Sequence, residues 1–153
     1  MKLKHLIGIT LILAASLCSC SSDRASQNGS GETLLSHNIV IGESGGFTGM
    51  NSGYSIDSTG AVKSFQGIIK PENKQKDMGQ LSQEQIKRIN RLIPELLKTS
   101  YSEKANLTSY ITLSKDGKVV RYTWPGPSPD KNVPESLNKF YTELNSIINS
   151  LKK

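Results

Sequence analysis

The sequence contains few of the side chains that enzymes commonly use for catalysis. Its two cysteines are Cys18 and Cys20, and its two histidines are His5 and His37. Beyond residue 20 there is therefore no thiol for attack, no possible disulfide and no His/Cys cluster spaced for zinc. A serine triad would have to use His37, whose place just before the first predicted strand suits a solvated side chain better. The sequence predicts a protein that is not an enzyme and has neither cofactor nor metal.

Charged residues are also too scattered to mark a site. A glycosidase pair of Glu43 with Asp57 stays open, although such clefts normally lie in larger domains. The glycine-rich GESGGFTG stretch lacks the Gly-Lys-Ser/Thr ending of a phosphate loop. Basic residues are not interleaved with aromatic ones, so no nucleic-acid partner is predicted.

The N-terminus has the layout of a bacterial lipoprotein signal. Lys2 and Lys4 precede an apolar run over residues 6–17, which is too short to span a bilayer. The sequence LCSC, residues 17–20, resembles a lipobox with Cys20 as the lipidated residue; a cut before Cys18 would put Leu17 where a small residue is needed. Removal of residues 1–19 lowers the net charge from +6 to +4 because two lysines are lost.

These features predict three segments. Residues 1–19 are the signal peptide, residues 20–37 are the lipidated Cys20 and a flexible tether, and residues 38–153 are a single domain held by its core. We expect the protein at the bacterial outer membrane, attached through its lipid anchor and facing the periplasm or the cell surface.

The domain is predicted to be α+β, with an antiparallel sheet of about five strands and helices packed on one face. Residues 38–41, 53–57 and 61–65 have β-type patterns, and residues 70–80 are predicted to be a polar loop. Ser82 and Gln85 form a capping box at the start of an amphipathic helix that contains Pro94. Asp116-Gly117 predicts a hairpin, and Pro134 begins a closing helix. The predicted order is βββ-α-ββ-α.

Residues 44–49, Ser-Gly-Gly-Phe-Thr-Gly, together with this element order, resemble emfourin, a small inhibitor of thermolysin-type metalloproteases whose motif is close to Ser-Gly-Gly-Phe-Ala-Gly. The resemblance covers residues 38–151. The chain differs by its lipobox, a longer glycine loop and residues 124–129. A lipobox before a small cysteine-free domain also resembles the potempins, lipoproteins that restrain serine and metalloproteases secreted by the same bacterium.

Two loops are candidates for protease binding. Five glycines lie between Gly42 and Gly53 around Phe47, which is either an anchor for a partner or a core residue of a bulged hairpin. The second loop, residues 122–129, holds three prolines and Trp124, and is either a binding loop or a connector over the core edge. The predicted partner-binding residues are Ser44, Gly45, Gly46, Phe47, Thr48, Gly49, Tyr122, Trp124 and Pro125.

The sequence therefore predicts a monomeric, membrane-anchored inhibitor that blocks a secreted metallo- or serine protease by loop insertion. The alternative is a surface-anchored binding module for a peptide, glycan or envelope partner, which would need Tyr54, Tyr110 and Trp124 on one sheet face. An immunity or assembly lipoprotein shares these features. Residues 57–59, Asp-Ser-Thr, resemble an O-glycosylation motif and are equally explained by a turn.

Replacing Cys20 tests the lipid anchor. Cys20→Ala should leave a protein that fractionates as soluble and incorporates no labelled fatty acid, since this one thiol carries the acyl chains. Cys18→Ala is the matched control and should stay lipidated. Label in the Cys20 variant would contradict the lipobox assignment.

Overall fold

The computed structural model describes residues 33–47, 49–68 and 74–152. The predicted signal peptide, Cys20, most of the predicted tether and Thr48 lie outside the described residues. The elements in chain order are β1 (Asn38–Gly45), β2 (Met50–Ile56), β3 (Ala61–Gly67), β4 (Gln75–Gln80), α1 (Gln83–Leu97), β5 (Leu107–Lys115), β6 (Lys118–Pro125) and α2 (Glu135–Ser150).

The strands form one antiparallel sheet in the order β4-β3-β2-β1-β5-β6. The α+β class is confirmed, but the predicted number of five strands is wrong. The additional strand is β4, which lies in the segment predicted to be a loop. Its sequence, QKDMGQ, has no apolar alternation because β4 is an edge strand and five of its six residues are exposed. It is held by backbone pairing with β3, with a register shift between Val62 and Lys63.

The register sorts the side chains of the sheet onto two faces, since directly opposite residues of an antiparallel pair project to the same side. Ile39 lies opposite both Ile56 and Leu113, and Ile41 lies opposite Ile111. We call this side the core face and the other side the open face. Buried core-face residues form one hydrophobic cluster with the buried residues of α1 and α2.

Both helices carry the apolar stripes that the sequence predicts. At the start of α1, Gln85 N donates to Ser82 Oγ and Ser82 N donates to Gln85 Oε1, so the predicted capping box is present. Pro94 lies inside α1 on its exposed side. The buried residues are Ile86, Ile89, Ile93 and Leu96 in α1 and Leu137, Phe140, Leu144, Ile147 and Ile148 in α2. The two helices also contact each other.

The folded domain begins earlier than predicted. Leu35 is buried in the hydrophobic cluster, and its N–H donates to the carbonyl of Ser58. The N–H of Ser36 donates to Asn90 Oδ1 on α1 at 2.9 Å. Residues 33–37 therefore belong to the domain and not to the tether. These residues cannot be recognised from the sequence, because a single leucine among polar residues gives no periodic pattern.

Leu144→Ala should lower the free energy of unfolding by about 2–5 kcal/mol, because the side chain is 1% exposed and its truncation leaves a cavity. Urea denaturation followed by circular dichroism measures the loss. Thr142→Ala, at an exposed position of the same helix, is the control and should change stability by less than about 0.5 kcal/mol. Equal stability of the two variants would place Leu144 outside the core.

Candidate functional site

Both predicted binding loops lie at the same end of the sheet. The turn between β1 and β2 is tied to the start of β5, since Gly46 N donates to the carbonyl of Asn106 at 2.7 Å. The start of β5 is tied in turn to the end of β6, since Gly126 N donates to the carbonyl of Leu107 at 3.0 Å. We call this end the tip surface; its described residues are 45–47, 49–50, 106–107 and 125–127.

Phe47 is the most prominent side chain of the tip surface. It is 106% exposed, more than in an extended reference peptide, so it does not fold back onto the core. Gly45, Gly46 and Gly49 have φ values of 111°, 72° and 63°, which side chains with a Cβ rarely adopt. The turn is closed by Gly49 N donating to the carbonyl of Gly46 at 3.2 Å. The backbone of this turn thus presents one aromatic ring to solvent.

The second predicted loop does not supply the expected anchors. Strand β6 runs to Pro125, so Tyr122 and Trp124 are strand residues, and their side chains are 1% and 0% exposed. Tyr122 Oη donates to the carbonyl of Leu96 at 2.9 Å, and the Trp124 ring packs edge-on against Tyr141 with 5.4 Å between centroids. Their assignment to a partner-binding surface is wrong, because both rings are part of the core.

Three of the five clustered glycines leave no room for a Cβ: Gly45, against the carbonyl of Asn106, and the facing pair Gly42 and Gly53. Gly42 lies opposite Gly53 in the β1–β2 pair, Phe65 lies opposite Gly53, and Tyr110 lies opposite Gly42. A Cβ at Gly42 would come within 2.6 Å of the Ser52 carbonyl oxygen and 2.9 Å of Tyr110 Oη. The two aromatic rings therefore cover the glycine backbone on the open face, where they are only 9% and 7% exposed.

Arg121 on β6 lies diagonally from Tyr110 on the open face, since the residue directly opposite Tyr110 is Thr123. Its guanidinium carbon lies 4.0 Å from the centroid of the Tyr110 ring, which is cation–π geometry. Burial raises the pKa of the Tyr110 phenol, while the positive charge of Arg121 acts in the opposite direction. The ring is thus held between glycine backbone and guanidinium, and little of its surface is left for a ligand.

Asp57 has a structural role at the other end of the sheet. Its Oδ1 accepts from Thr59 N at 2.9 Å, Thr59 Oγ1 at 2.6 Å and Ala61 N at 3.1 Å. Burial acts to raise the pKa of this carboxyl, but the hydrogen bonds outweigh it and lower the pKa. The Asp57 triplet thus forms the predicted turn.

The geometry rejects the open glycosidase pairing. Glu43 lies opposite Ser52, and Asp57 is five residues further along the chain, about 16 Å at strand rise. Glycosidase carboxylates are about 5–9.5 Å apart.

His37 lies at the end of the sheet remote from the tip surface, with Nδ1 3.0 Å from Ser36 Oγ. Partial burial and the positive charge of Lys115 lower the pKa of His37, and the negative charge of Asp116 acts to raise it.

Comparison with known proteins gives no assignment: no protein-family model matches the chain, and a search of curated proteins finds no match. Within residues 33–47, 49–68 and 74–152, no three His, Cys, Asp or Glu side chains are grouped to hold a metal ion. In the same residues, no helix is long and apolar enough to cross a bilayer.

Gly53→Ala and Gly46→Ala should separate the two roles of the glycines. A Cβ at Gly53 would overlap the carbonyl oxygen of Ile41 on the neighbouring strand, so we expect a loss of about 3 kcal/mol in unfolding free energy. A Cβ at Gly46 has nothing within 4 Å, and only its positive φ costs about 1 kcal/mol. Urea denaturation of both variants gives the order; a more damaging Gly46→Ala would contradict this reading of the sheet.

Proposed function

We propose that this protein is a membrane-anchored lipoprotein that inhibits a secreted metallo- or serine protease by inserting the β1–β2 turn into its cleft, with Phe47 as the anchor. In this proposal Cys20 carries the lipid, and the inhibitor is a monomer at the bacterial outer membrane. Both helices pack on the core face of the sheet and act as scaffold. The resemblance of residues 44–49 to the emfourin motif supports the target class.

The observation that carries the proposal is the exposure of Phe47 on a turn in which the backbone N–H groups of Gly46 and Gly49 are hydrogen-bonded. An exposed phenylalanine keeps its apolar ring in unfavourable contact with water and contributes nothing to the core. At protein interfaces, in contrast, a few aromatic anchors supply most of the binding affinity. Hydrogen bonds from Gly46 and Gly49 hold the backbone on both sides of the ring. Because less conformational freedom is lost on docking, a turn held in this way binds more tightly than a mobile one.

The surroundings of Phe47 support a protein partner. Leu107 on the tip surface is 38% exposed, and Ile68, which follows β3 at the same end of the sheet, is 62% exposed. Three of the seven exposed large apolar side chains in the described residues are thus at this end of the sheet, and exposed apolar side chains on neighbouring elements are one feature of interaction surfaces. A protease cleft that accepts an apolar side chain is the complementary surface.

The alternative glycan-binding platform is less well supported. It requires Tyr54, Tyr110 and Trp124 on one exposed sheet face. Tyr54 lies opposite Ile41 and so belongs to the core face, Tyr110 belongs to the open face, and Trp124 is fully buried. These three rings cannot stack on one sugar chain.

The test is inhibition of a panel of secreted metallo- and serine proteases by the full-length protein in detergent. Phe47→Ala should weaken inhibition of the target about thirtyfold, equal to about 2 kcal/mol, because an anchor ring is lost. Its unfolding free energy should change by less than about 0.5 kcal/mol, since the ring makes no core contact.

Val119→Ala is the matched control, because Val119 is 64% exposed on β6, in the half of that strand remote from the tip surface. It should inhibit like the unmodified protein. Full inhibition by Phe47→Ala, or an equal loss in the Val119 variant, would remove Phe47 as the anchor. An unmodified protein that inhibits no protease of either class would overturn the proposed function.

A further inference from the structure

A polar groove lies beside the tip surface, between the core face of β1–β3 and helix α2. Its volume is about 520 Å³, within the range of about 300–1,000 Å³ that is usual for ligand sites. We call it the side groove. Its lining includes Glu43, Ser52, Ser64 and Gln66 from the sheet and Tyr141 and Asn145 from α2.

The side groove exists because the core face changes from apolar to polar along adjacent strands. In β1 the core-face residues are Ile39, Ile41 and then Glu43; in β3 they are Val62, Ser64 and then Gln66. Ile56, Tyr54 and Ser52 of β2 follow the same sequence. Along β1–β3 the apolar side chains of the core face therefore stop partway, and hydroxyl, amide and carboxylate groups continue this face toward the tip surface.

Positive charge lies along the β4 side of the side groove. Lys74 and Lys76 line it. Lys152 is not part of the lining, but its Nζ lies 5.2 Å from the centroid of the ring of Tyr54, which is. The ion pairs found in the described part of the chain are Arg88–Glu143 and Lys98–Glu95, so neither Lys74 nor Lys76 is neutralised there. The Glu43 carboxylate lies at the opposite side of the side groove, where it can accept hydrogen bonds but cannot donate them.

The arrangement calls for a ligand that combines an anion with hydroxyl donors. A plain anion suits Lys74 and Lys76 but is repelled by Glu43, whereas sugar hydroxyls can donate to that carboxylate and to Ser52. An extended peptide that binds by strand addition needs an unpaired strand. Strands β1, β2 and β3 have a neighbour on both sides, so the floor of the side groove offers none.

We propose that the side groove binds an anionic saccharide, with its carboxylate toward Lys74 and Lys76 and its hydroxyls toward Ser52 and Glu43. The site is separate from the Phe47 anchor and would let the lipoprotein hold an acidic surface polysaccharide while the tip surface stays available. The proposal does not depend on protease inhibition.

Isothermal titration of the full-length protein in detergent with trigalacturonate tests this. The unmodified protein should bind it more tightly than neutral galactotriose, a triglutamate peptide or inorganic phosphate. Lys74→Ala/Lys76→Ala should weaken binding about tenfold or more, because each charge-assisted hydrogen bond is lost. Glu43→Ala removes the acceptor of the sugar hydroxyls and should weaken trigalacturonate binding without weakening that of phosphate, a difference that simple charge attraction would not produce.

Lys115→Ala/Lys118→Ala is the matched control, since it removes two exposed lysines at the β5–β6 turn. It should bind trigalacturonate like the unmodified protein and show the same circular dichroism. An equal loss in the control would mean non-specific attraction and would overturn the site. Equal or tighter binding of triglutamate or phosphate, or no binding of trigalacturonate, would also overturn it. Protease inhibition should be unchanged in both lysine variants, which distinguishes this test from that of Phe47.

Discussion

The close approach of β1 and β2 at Gly42 and Gly53 is the contact on which the arrangement of the sheet depends. The two glycines face each other, and the rings of Tyr110 and Phe65 close over them from the strands on either side. A side chain on either glycine would meet the backbone of the other strand. One row of residues thereby links β3, β2, β1 and β5 through contacts that tolerate almost no change in size.

This row helps to fix the register, and the register determines what each face of the sheet does. A shift of one residue would move Ile39, Ile41 and Ile56 from the core face to the open face. It would also move Glu43 and Ser52 out of the side groove. The hydrophobic cluster and the polar groove therefore arise from one strand pairing. It brings apolar residues of neighbouring strands together on one part of the core face and polar residues together on the part nearer the tip surface.

Elements with strong local patterns were predictable from the sequence. The capping box at Ser82, the turn at Asp116 and Gly117, and the apolar stripe of α2 each depend on residues close together in the chain. Asp116 and Gly117 have φ values of 49° and 76°, as the Asp-Gly hairpin rule requires.

The predictions that failed concern features that depend on residues far apart in the chain. Strand β4 is polar and forms because β3 offers it an edge. The sequence predicts Trp124 both as the last residue of the final strand and as the anchor of the proline-rich loop that follows. Strand β6 continues to Pro125, and its pairing places the Trp124 ring in the core. Of the candidate site, Phe47 and its glycines were found from their spacing. The side groove was not, because its residues are spread from Glu43 to Asn145 and only the sheet register brings them together.

The domain tolerates the exposure of Phe47 because its stability comes from the hydrophobic cluster, to which Phe47 does not belong. The described residues of its turn contribute backbone hydrogen bonds but no buried side chain, so Phe47 can be replaced without loss of the core. Gly45, Gly46 and Gly49 adopt the positive φ values of this turn without the steric cost that a Cβ would add, and in this conformation the Phe47 ring faces solvent. The buried row at Gly42 and Gly53 lies a few residues before and after this turn, and it anchors both strands that carry it. Rigid support beneath a small exposed anchor is the arrangement that loses least entropy on binding. The same glycine-rich segment thus supplies both parts of this arrangement. The glycines at its two ends allow close packing of the strands, and those at its centre adopt the positive φ angles of the turn that carries Phe47.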